Sequence, residues 1–377
     1  MVLSGKAIIA AAAGKFFFPL DKRLEIGTEG YSPKILEKIE YAGANSRSFD
    51  EAEKDLKMLA GLAIDSRHIQ RLTERLGAER EKRRDEEVEL MKQDKLEVKG
   101  LNKPEVCAVY VDAGKVQTRE DDSQGPGVRG QAWADTKVAC LVTYQAKEHT
   151  EDPQPEVPSK LMDRQTVKEI CRQMALIHGK TQQPPAESKA VSVAAKDHKG
   201  LEDGKQDFEK PEPLVRTAAA TQQKVDEFGY LVAAEARKRG FYEAKRKAFV
   251  GDGGNWIDPF GALHFPAPDW MHVLDFMHGM THLYGGACAA YGKDTKEAWD
   301  LYKRLVTKAW SGEVGSVIRM LENQVKRVGK PPEGAAPSNP RKIVSLTLDY
   351  VRRNAHRMGY PAYRKLGLPT QAPPLNL

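Results

Sequence analysis

The chain has 377 residues, which is enough for two or three domains that each bury a hydrophobic core. Lys and Arg number 59 against 53 Asp and Glu, so the formal net charge of +6 is small and any polyanion site must come from local clustering. Four scattered cysteines without a Cys-x-x-Cys pair argue against a disulfide scaffold or a zinc ribbon, and no apolar run approaches the ~20 residues that span a bilayer.

The segment 31–100 is predicted to fold as helices. Ser48 followed by Glu51 forms a capping-box pattern that begins one helix, and Gly61 ends it. A second helix is predicted to begin near Asp65, a good N-cap residue. The apolar residues that recur on one face are Ala52, Leu56 and Leu59 in the first helix, and Ile69, Leu72 and Leu76 in the second. Both helices are therefore predicted to be amphipathic.

The second helix carries a polar and mostly basic face. Its members are Arg67, His68, Gln70, Arg71 and Arg75. A helix, a short glycine-containing turn and a helix with such a face form the layout of a helix-turn-helix DNA-binding domain with a basic recognition helix. A plain helical hairpin with a solvated basic face explains the pattern equally well. The mixed charges of 79–89 indicate an exposed linker helix.

An apolar, β-branched run at 105–112 ends in Asp112, which is typical of a strand that leaves a buried sheet. We expect the chain to turn at Ala113-Gly114 into a second strand at 115–120, and a third strand at 136–144. Three adjacent strands indicate that the sheet begins with antiparallel pairing.

The composition becomes polar and Pro-rich from 146 to 223, which indicates a partly disordered insertion with a helical piece at 163–178. A helix is predicted at 224–239. Two further strands follow, and they end in Asp252 and Asp275. Most of the remaining chain to about residue 356 is predicted to be helical.

This order of elements, with a carboxylate at the end of the first and fourth strands, is the topology of a ribonuclease H-like mixed sheet with flanking helices, a mixed α+β fold. The first and fourth strands of such a sheet are neighbours, so Asp112 and Asp252 are predicted to lie side by side. The pair suits Mg²⁺, which prefers hard oxygen ligands and keeps positions for water and substrate phosphate. Taken singly, Asp112 also fits a turn cap and Asp252 an Asp-Gly loop.

Six blocks stand in order along the chain: Phe17-Phe18-Pro19-Leu20-Asp21-Lys22-Arg23-Leu24, Gly30-Tyr31-Ser32-Pro33, Val111-Asp112-Ala113-Gly114, Gly251-Asp252-Gly253-Gly254-Asn255-Trp256-Ile257, Leu274-Asp275-Phe276-Met277-His278 and Met358-Gly359-Tyr360-Pro361-Ala362-Tyr363-Arg364-Lys365-Leu366-Gly367-Leu368-Pro369. Together they resemble landmarks of bacterial insertion-sequence transposases of the ISKra type. These are relatives of the Mutator-like group and have a ribonuclease H-like DDE catalytic domain. The resemblance covers nearly the whole chain, from Phe16 to Pro369.

The resemblance implies that Asp112 and Asp252 are the first two metal-binding acids of a DDE site that uses Mg²⁺ or Mn²⁺. Asp275 and His278 match the family's Asp-x-x-His signature, with Asp275 as a helix cap and His278 as a catalytic residue that reaches a phosphate or a water near the metals. A zinc site built on His278 and His282 is a weaker alternative, because the glutamate of a His-Glu-x-x-His motif is missing.

The implied function is that of a transposase that cleaves DNA and transfers strands with the help of a metal. Its partners would be DNA, both terminal inverted repeats and target DNA, and the oligomeric state, with a homo-oligomer as one option, stays open. The implied location is the cytoplasm, at the bacterial nucleoid, with no membrane partner.

The chain departs from the family pattern at two places. The family's third acid is a glutamate that follows Gly-Leu-Pro-Ile-Gly-Ser-Gly, whereas here Gly367-Leu368-Pro369 is followed by Thr370-Gln371. The Cys-x-x-Cys ribbon that the family carries before its Phe-Phe-Pro block has no counterpart. We therefore expect a transposase that is truncated at both ends and inactive for lack of the third carboxylate. One alternative is a non-catalytic DNA-binding remnant that inhibits the intact transposase, and another is a phosphohydrolase that acts on small phosphate esters.

The predicted organisation has six parts. They are a remnant N-terminal segment (1–30), a helix-turn-helix domain with its linker helix (31–100), the first part of the ribonuclease H-like core (101–145), the polar insertion (146–223), the second part of the core with C-terminal helices (224–369) and an irregular tail (370–377).

Overall fold

The computed structural model describes residues 8–10, 15–17, 23, 26, 30–98, 103–119, 131–177 and 210–372. The chain divides into two compact units, Met1–Glu89 and Leu90–Leu377. Near the N-terminus, Ile8–Ala10 and Lys15–Phe17 pair as two short antiparallel strands. No helix within the described ranges is both long enough and apolar enough to cross a membrane.

From residue 30 onwards, the described part of the first unit contains three helices in succession. They are α1 (Pro33–Asn45), α2 (Phe49–Ala60) and the start of α3 (Ser66–Lys92). The hydroxyl of Ser48 accepts a hydrogen bond from the backbone N–H of Glu51 at 3.2 Å, and Gly61 leaves α2 with a φ of +66°. Both predicted boundaries of α2 are therefore confirmed, because each lies at the residue whose chemistry ends a helix.

The core of the first unit is formed by the apolar faces of its helices and by one residue of the connection between α2 and α3, Ile64. It contains Ile39, Ala42, Ala52, Leu56, Ile64, Ile69 and Leu72. The prediction that Leu59 shares this inner face is wrong, because its side chain is 86% exposed. Leu59 lies in the last turn of α2, next to the residue where the chain turns away, and helical spacing alone does not tell whether a neighbouring helix extends that far.

The second unit is built on one five-stranded mixed sheet. Its strands are β1 (Val106–Arg119), β2 (Gln131–Gln145), β3 (Glu212–Thr221), β4 (Arg246–Gly251) and β5 (Met271–Leu274). The order across the sheet is β3-β2-β1-β4-β5. The β1–β2 and β2–β3 pairs are antiparallel, whereas the β1–β4 and β4–β5 pairs are parallel. The first and fourth strands are therefore neighbours, as predicted.

The predicted turn at Ala113-Gly114 is wrong, because β1 continues without interruption to Arg119. Ala113 pairs with Lys137 on β2, and Gly114 pairs with Thr136. A two-residue hairpin needs residues with positive φ angles at its centre, and the φ angle of Gly114 is not positive. The residues that connect β1 to β2 lie outside the described ranges. The pairing at the start of the sheet is nevertheless antiparallel, as predicted.

The segment predicted as a polar insertion, 146–223, contains the third strand of the sheet, which the sequence analysis missed. Because β3 is an edge strand, most of its residues are exposed, including Leu214 and Val215 at 58% and 55%. Its composition therefore lacks the apolar alternation of a half-buried strand. The predicted helical piece is confirmed as α4 (Arg164–Ile177). The predicted partial disorder of 146–223 stays a prediction, because residues 178–209 lie outside the described ranges.

Helices cover both faces of the sheet. They are α5 (Val225–Lys238), α6 (Ile257–His264), α7 (Phe276–Tyr291), α8 (Lys296–Trp310), α9 (Val314–Val328), α10 (Pro340–Asn354) and α11 (Tyr360–Lys365), with single 3-10 turns at Ser159–Leu161, Phe241–Glu243 and Ala355–Arg357. The chain is thus a mixed α+β protein in which a mixed sheet is flanked by helices.

Side-chain alternation along β1 divides the core of the second unit into two layers. Ala108 and Tyr110 belong to the cluster that contains the apolar faces of α7 to α11. Val109 and Val111 belong to the cluster that contains α5 and α6. Successive side chains of a strand point to opposite faces, so β1 is buried on both faces, and the next even-numbered residue, Asp112, belongs to the α7 side.

Candidate metal centre

The carboxylates of Asp112 and Asp252 lie at the same edge of the sheet. Val111 on β1 is in register with Gly251, the last residue of β4, and these strands are parallel. Asp112 and Asp252 each follow their registered residue by one position. They share the parity of the side chains that face α7, so alternation directs both carboxylates to one side of the sheet. Two residues from distant parts of the sequence thus meet through strand pairing.

A third side chain, that of His278 in the first turn of α7, completes the cluster. One ligand atom from each of Asp112, Asp252 and His278 lies within 4.8 Å of the other two, and all three residues are half-buried. Among the residues that the structure describes, this is the one group of three or more His, Cys, Asp or Glu side chains with the spacing of a metal site. We call these three residues the acidic-edge cluster.

Backbone hydrogen bonds fix the two carboxylates of the acidic-edge cluster. Asp112 Oδ1 accepts from the N–H of Ala113 at 2.7 Å, and Asp252 Oδ1 accepts from the N–H of Gly254 at 2.8 Å. Gly253 has a φ of +84°, and a Cβ there would lie 2.7 Å from Asn354 Nδ2. Only glycine fits this position without strain, so the loop after β4 is shaped to present Asp252 in one conformation.

Asp275 is the N-cap residue of α7 and precedes His278 by three residues. Its Oδ1 accepts from the N–H groups of Met277 at 2.8 Å and His278 at 3.1 Å, which confirms the predicted helix cap. Its Oδ2 accepts from the N–H of Ala372 at 2.6 Å, so the C-terminal segment is attached beside the cluster. Oδ1 also lies 3.5 Å from Nδ1 of His278. Asp275 therefore positions both the helix and the imidazole.

Although His278 is largely buried, its surroundings favour the protonated, positively charged form of its ring. Burial disfavours the charged ring, but the hydrogen bond and charge of Asp275, together with the charges of Asp112 and Asp252, raise the pKa of His278 above its ordinary value. The three carboxylates therefore place the ring in a negative potential, which a bound cation would relieve.

The surroundings of the cluster are partly apolar and include residues that the sequence analysis did not single out. Tyr350 on α10 donates a hydrogen bond from its hydroxyl to the Asp252 carbonyl at 2.7 Å. Arg353, one turn later, is exposed and donates to the Gly253 carbonyl at 3.2 Å. The spacing of these two residues on an amphipathic helix indicates a shared face, but nothing in the sequence connects that face with the loop after β4.

The zinc alternative on α7 is not supported by the geometry. His282 stacks on the ring of Tyr350 with 3.8 Å between ring centroids, and it does not join any of the metal-type groups found among the described residues. His278 shares the acidic-edge cluster with two aspartates instead. The donor set is therefore two carboxylates and one imidazole, which suits a divalent cation.

The five predicted DNA-binding residues lie in the first three turns of α3, in the first unit. Arg67, Gln70 and Arg71 are exposed, whereas His68 and Arg75 are half-buried. The His68 ring lies 5.8 Å from that of Tyr31, Arg71 Nη2 is 3.3 Å from His68 Nδ1, Gln70 donates to Glu74 and Arg75 is 3.7 Å from Glu79. The exposed part of the predicted basic face is therefore smaller than the sequence pattern indicates.

A scan against protein-family models gives no match to this chain, and a search of curated proteins gives none either. The functional assignment therefore depends on the geometry of the acidic-edge cluster and on the sequence motifs that form it.

Proposed function

We propose that this chain is a DNA-processing protein of the transposase type, in which Asp112 and Asp252 hold a divalent metal ion, Mg²⁺ or Mn²⁺, for phosphodiester chemistry. The observation that carries the proposal is the meeting of these two carboxylates where β1 runs past the end of β4, beside His278. Carboxylates brought together from distant parts of a chain, at the edge of a sheet, are typical of sites that act on phosphate through a metal.

The fold supports the same proposal. Three antiparallel strands followed by two parallel ones, in the order β3-β2-β1-β4-β5, agree with the topology expected of a ribonuclease H-like sheet. The two acids lie where that topology brings the first and fourth strands together. The blocks that resemble ISKra-type transposases contain Asp112, Asp252, Asp275 and His278, so one resemblance accounts for the three residues of the cluster and for the residue that supports His278.

The residues have distinct parts in the proposed chemistry. Oxygens of Asp112 and Asp252 would hold the ion, and the loop at Gly253 keeps the second carboxylate in place. When bound, the ion supplies a Lewis acid that polarises the phosphate and lowers the pKa of an attacking water. Arg353, exposed beside the same loop, offers a cation to a neighbouring DNA phosphate.

The first unit supplies a candidate DNA-binding surface. The turn from α2 to α3 and the exposed side chains of Arg67, Gln70 and Arg71 suit a helix-turn-helix domain whose α3 enters the major groove. Such contacts are mostly directed to phosphates, so binding would weaken steeply with salt.

Metal-dependent strand cleavage of DNA tests the proposal. We expect the protein to nick supercoiled plasmid DNA in Mn²⁺ or Mg²⁺ and to lose this activity in EDTA. Asp252→Asn should lower the rate on the order of a hundredfold or more, because it removes one member of a cooperating group. Asp349→Asn, an exposed acid on α10, is the matched control and should cleave normally. Cleavage that survives Asp252→Asn would refute the proposal.

A second candidate is a protein that binds transposon ends without cutting them. It is favoured by the presence of only two carboxylates in the acidic-edge cluster, as far as the described residues show, where a DDE site has three. Measuring DNA binding and the turnover of small phosphate esters beside DNA cleavage separates these functions. Salt-sensitive DNA binding with no cleavage in either metal selects the binding protein, and turnover of small phosphate esters without cleavage of DNA selects a phosphohydrolase.

A further inference from the structure

A site that bound its metal through oxygen atoms alone would not explain why an imidazole lies in the acidic-edge cluster. His278 lies within 4.8 Å of ligand atoms of Asp112 and Asp252, and its side chain is only 17% exposed. A histidine held this close to two carboxylates is either a residue that contacts the substrate or a ligand of the same ion.

The position of Asp275 favours the second role, that of a metal ligand. Its Oδ1 lies 3.5 Å from Nδ1 of His278 while accepting the N–H groups that begin α7. Histidines that ligate metals nearly always have one ring nitrogen beside a carboxylate or carbonyl, which fixes the ring and raises its basicity. Asp275 is itself 4% exposed and held by the Ala372 N–H, so it is a rigid support.

We infer that His278 is the third protein ligand of the ion held by Asp112 and Asp252, that Asp275 positions its ring, and that the centre therefore prefers transition-metal ions over Mg²⁺. The inference rests on the proposed function, since it concerns the same metal site.

The metal preference follows from the donor set. Mg²⁺ favours carboxylates, carbonyls and water, whereas an imidazole ligand favours first-row transition metals. Two carboxylates and one imidazole make a three-ligand centre in which other coordination positions stay open to water and phosphate. In this donor set a nitrogen ligand from the adjacent helix would stand beside the two carboxylates.

Calorimetric titration of the full chain with Co²⁺ and with Mg²⁺, in the absence of DNA, tests the preference. We expect tighter binding of Co²⁺. His278→Ala should weaken Co²⁺ binding by at least about tenfold and Mg²⁺ binding much less, and Asp275→Asn should weaken Co²⁺ binding by roughly 10–100-fold. Asparagine still caps α7, so the second variant keeps the helix. His356→Ala removes an exposed histidine that also faces a carboxylate, Asp258, and should change neither affinity.

Pulsed electron paramagnetic resonance of the Mn²⁺-loaded wild-type protein provides a test that does not depend on any variant folding. Direct ligation predicts a nitrogen hyperfine coupling that disappears in His278→Ala and persists in His356→Ala. The absence of nitrogen coupling in the wild-type protein, or a parallel loss of Co²⁺ and Mg²⁺ affinity in His278→Ala, would overturn the inference.

The two proposals fail in distinguishable ways. If nitrogen coupling is observed but no DNA cleavage, the proposed transposase chemistry is refuted and His278 is still a metal ligand. If metal-dependent cleavage is observed but no nitrogen coupling, the proposed function is supported and the inference that His278 binds the metal is refuted.

Discussion

The replacement Asp252→Asn should stabilise the metal-free protein while abolishing its response to metal. Two carboxylates of the acidic-edge cluster have oxygens within 4.8 Å of each other, and in the absence of a cation they repel. Asparagine removes this repulsion and keeps the acceptor for the Gly254 N–H, which Asp252 Oδ1 now binds. A site adapted to a cation is thus expected to reduce the stability of the protein without that cation.

The magnitude follows from the separation. Two unit charges at this distance repel by about 3 kcal/mol at an effective dielectric constant of ~20. Protonation of His278, whose pKa is raised by Asp275, Asp112 and Asp252 against the effect of burial, offsets part of this repulsion. We therefore expect the free energy of unfolding to rise by about 1–2 kcal/mol in Asp252→Asn, which corresponds to a few degrees in Tm.

Thermal unfolding followed by circular dichroism measures both effects. In EDTA, Asp252→Asn should melt above the wild type, and the exposed control Asp349→Asn should melt close to it. Adding Mn²⁺ should raise the Tm of the wild type and of the control, because a ligand that binds the folded state stabilises it, and leave Asp252→Asn unchanged. An Asp252→Asn protein that melts below the wild type in EDTA and still responds to Mn²⁺ would refute this reasoning.

Three further predictions concern other parts of the chain. Asp152→Ala should lower the free energy of unfolding by about 3–5 kcal/mol in a urea titration, because it leaves the guanidinium of Arg364, 3% exposed, without its carboxylate partner. Burial lowers the pKa of His264 to about 4, whereas the unfolded chain binds this proton near pH ~6.5. The free energy of unfolding should therefore fall by about 3 kcal/mol as the pH decreases from ~6.5 to about 4. His264→Leu should remove that part of the decline. Arg71→Ala should weaken binding to a short DNA duplex and reduce the salt slope by about 1, measured by fluorescence anisotropy.

Each of these has its own control. Asp349→Asn should unfold in urea like the wild type. If His264→Leu follows the wild-type pH profile between pH 4 and 6.5, another group accounts for the decline. Lys57→Ala changes an exposed cation on α2 and should leave DNA binding unchanged; an equal loss in Lys57→Ala and Arg71→Ala would remove α3 as the specific DNA-binding helix.

The positions of the two acids could be predicted from sequence because the parts of β1 and β4 that precede them are buried on both faces. Their apolar runs stop at Asp112 and after Gly251, and these stops are visible without any knowledge of the fold. Helix boundaries at Ser48, Gly61 and Asp275 were predictable for a similar reason, since each depends on the local chemistry of a cap.

The elements that were missed depend on long-range pairing. Nothing local distinguishes Ala113-Gly114 as part of a strand, because its extended conformation is imposed by pairing with Lys137 and Thr136 on β2. The edge strand β3 has exposed residues and takes its conformation from β2. The relation of Tyr350 and Arg353 to the loop after β4 likewise arises from packing between elements that are far apart in sequence.

The most direct test of the account is the location of Mn²⁺ in crystals of the wild-type chain, by anomalous diffraction. We expect an anomalous peak bounded by carboxylate oxygens of Asp112 and Asp252. Crystals grown at saturating Mn²⁺ that show no peak between these residues, or a peak only at another site, would contradict it.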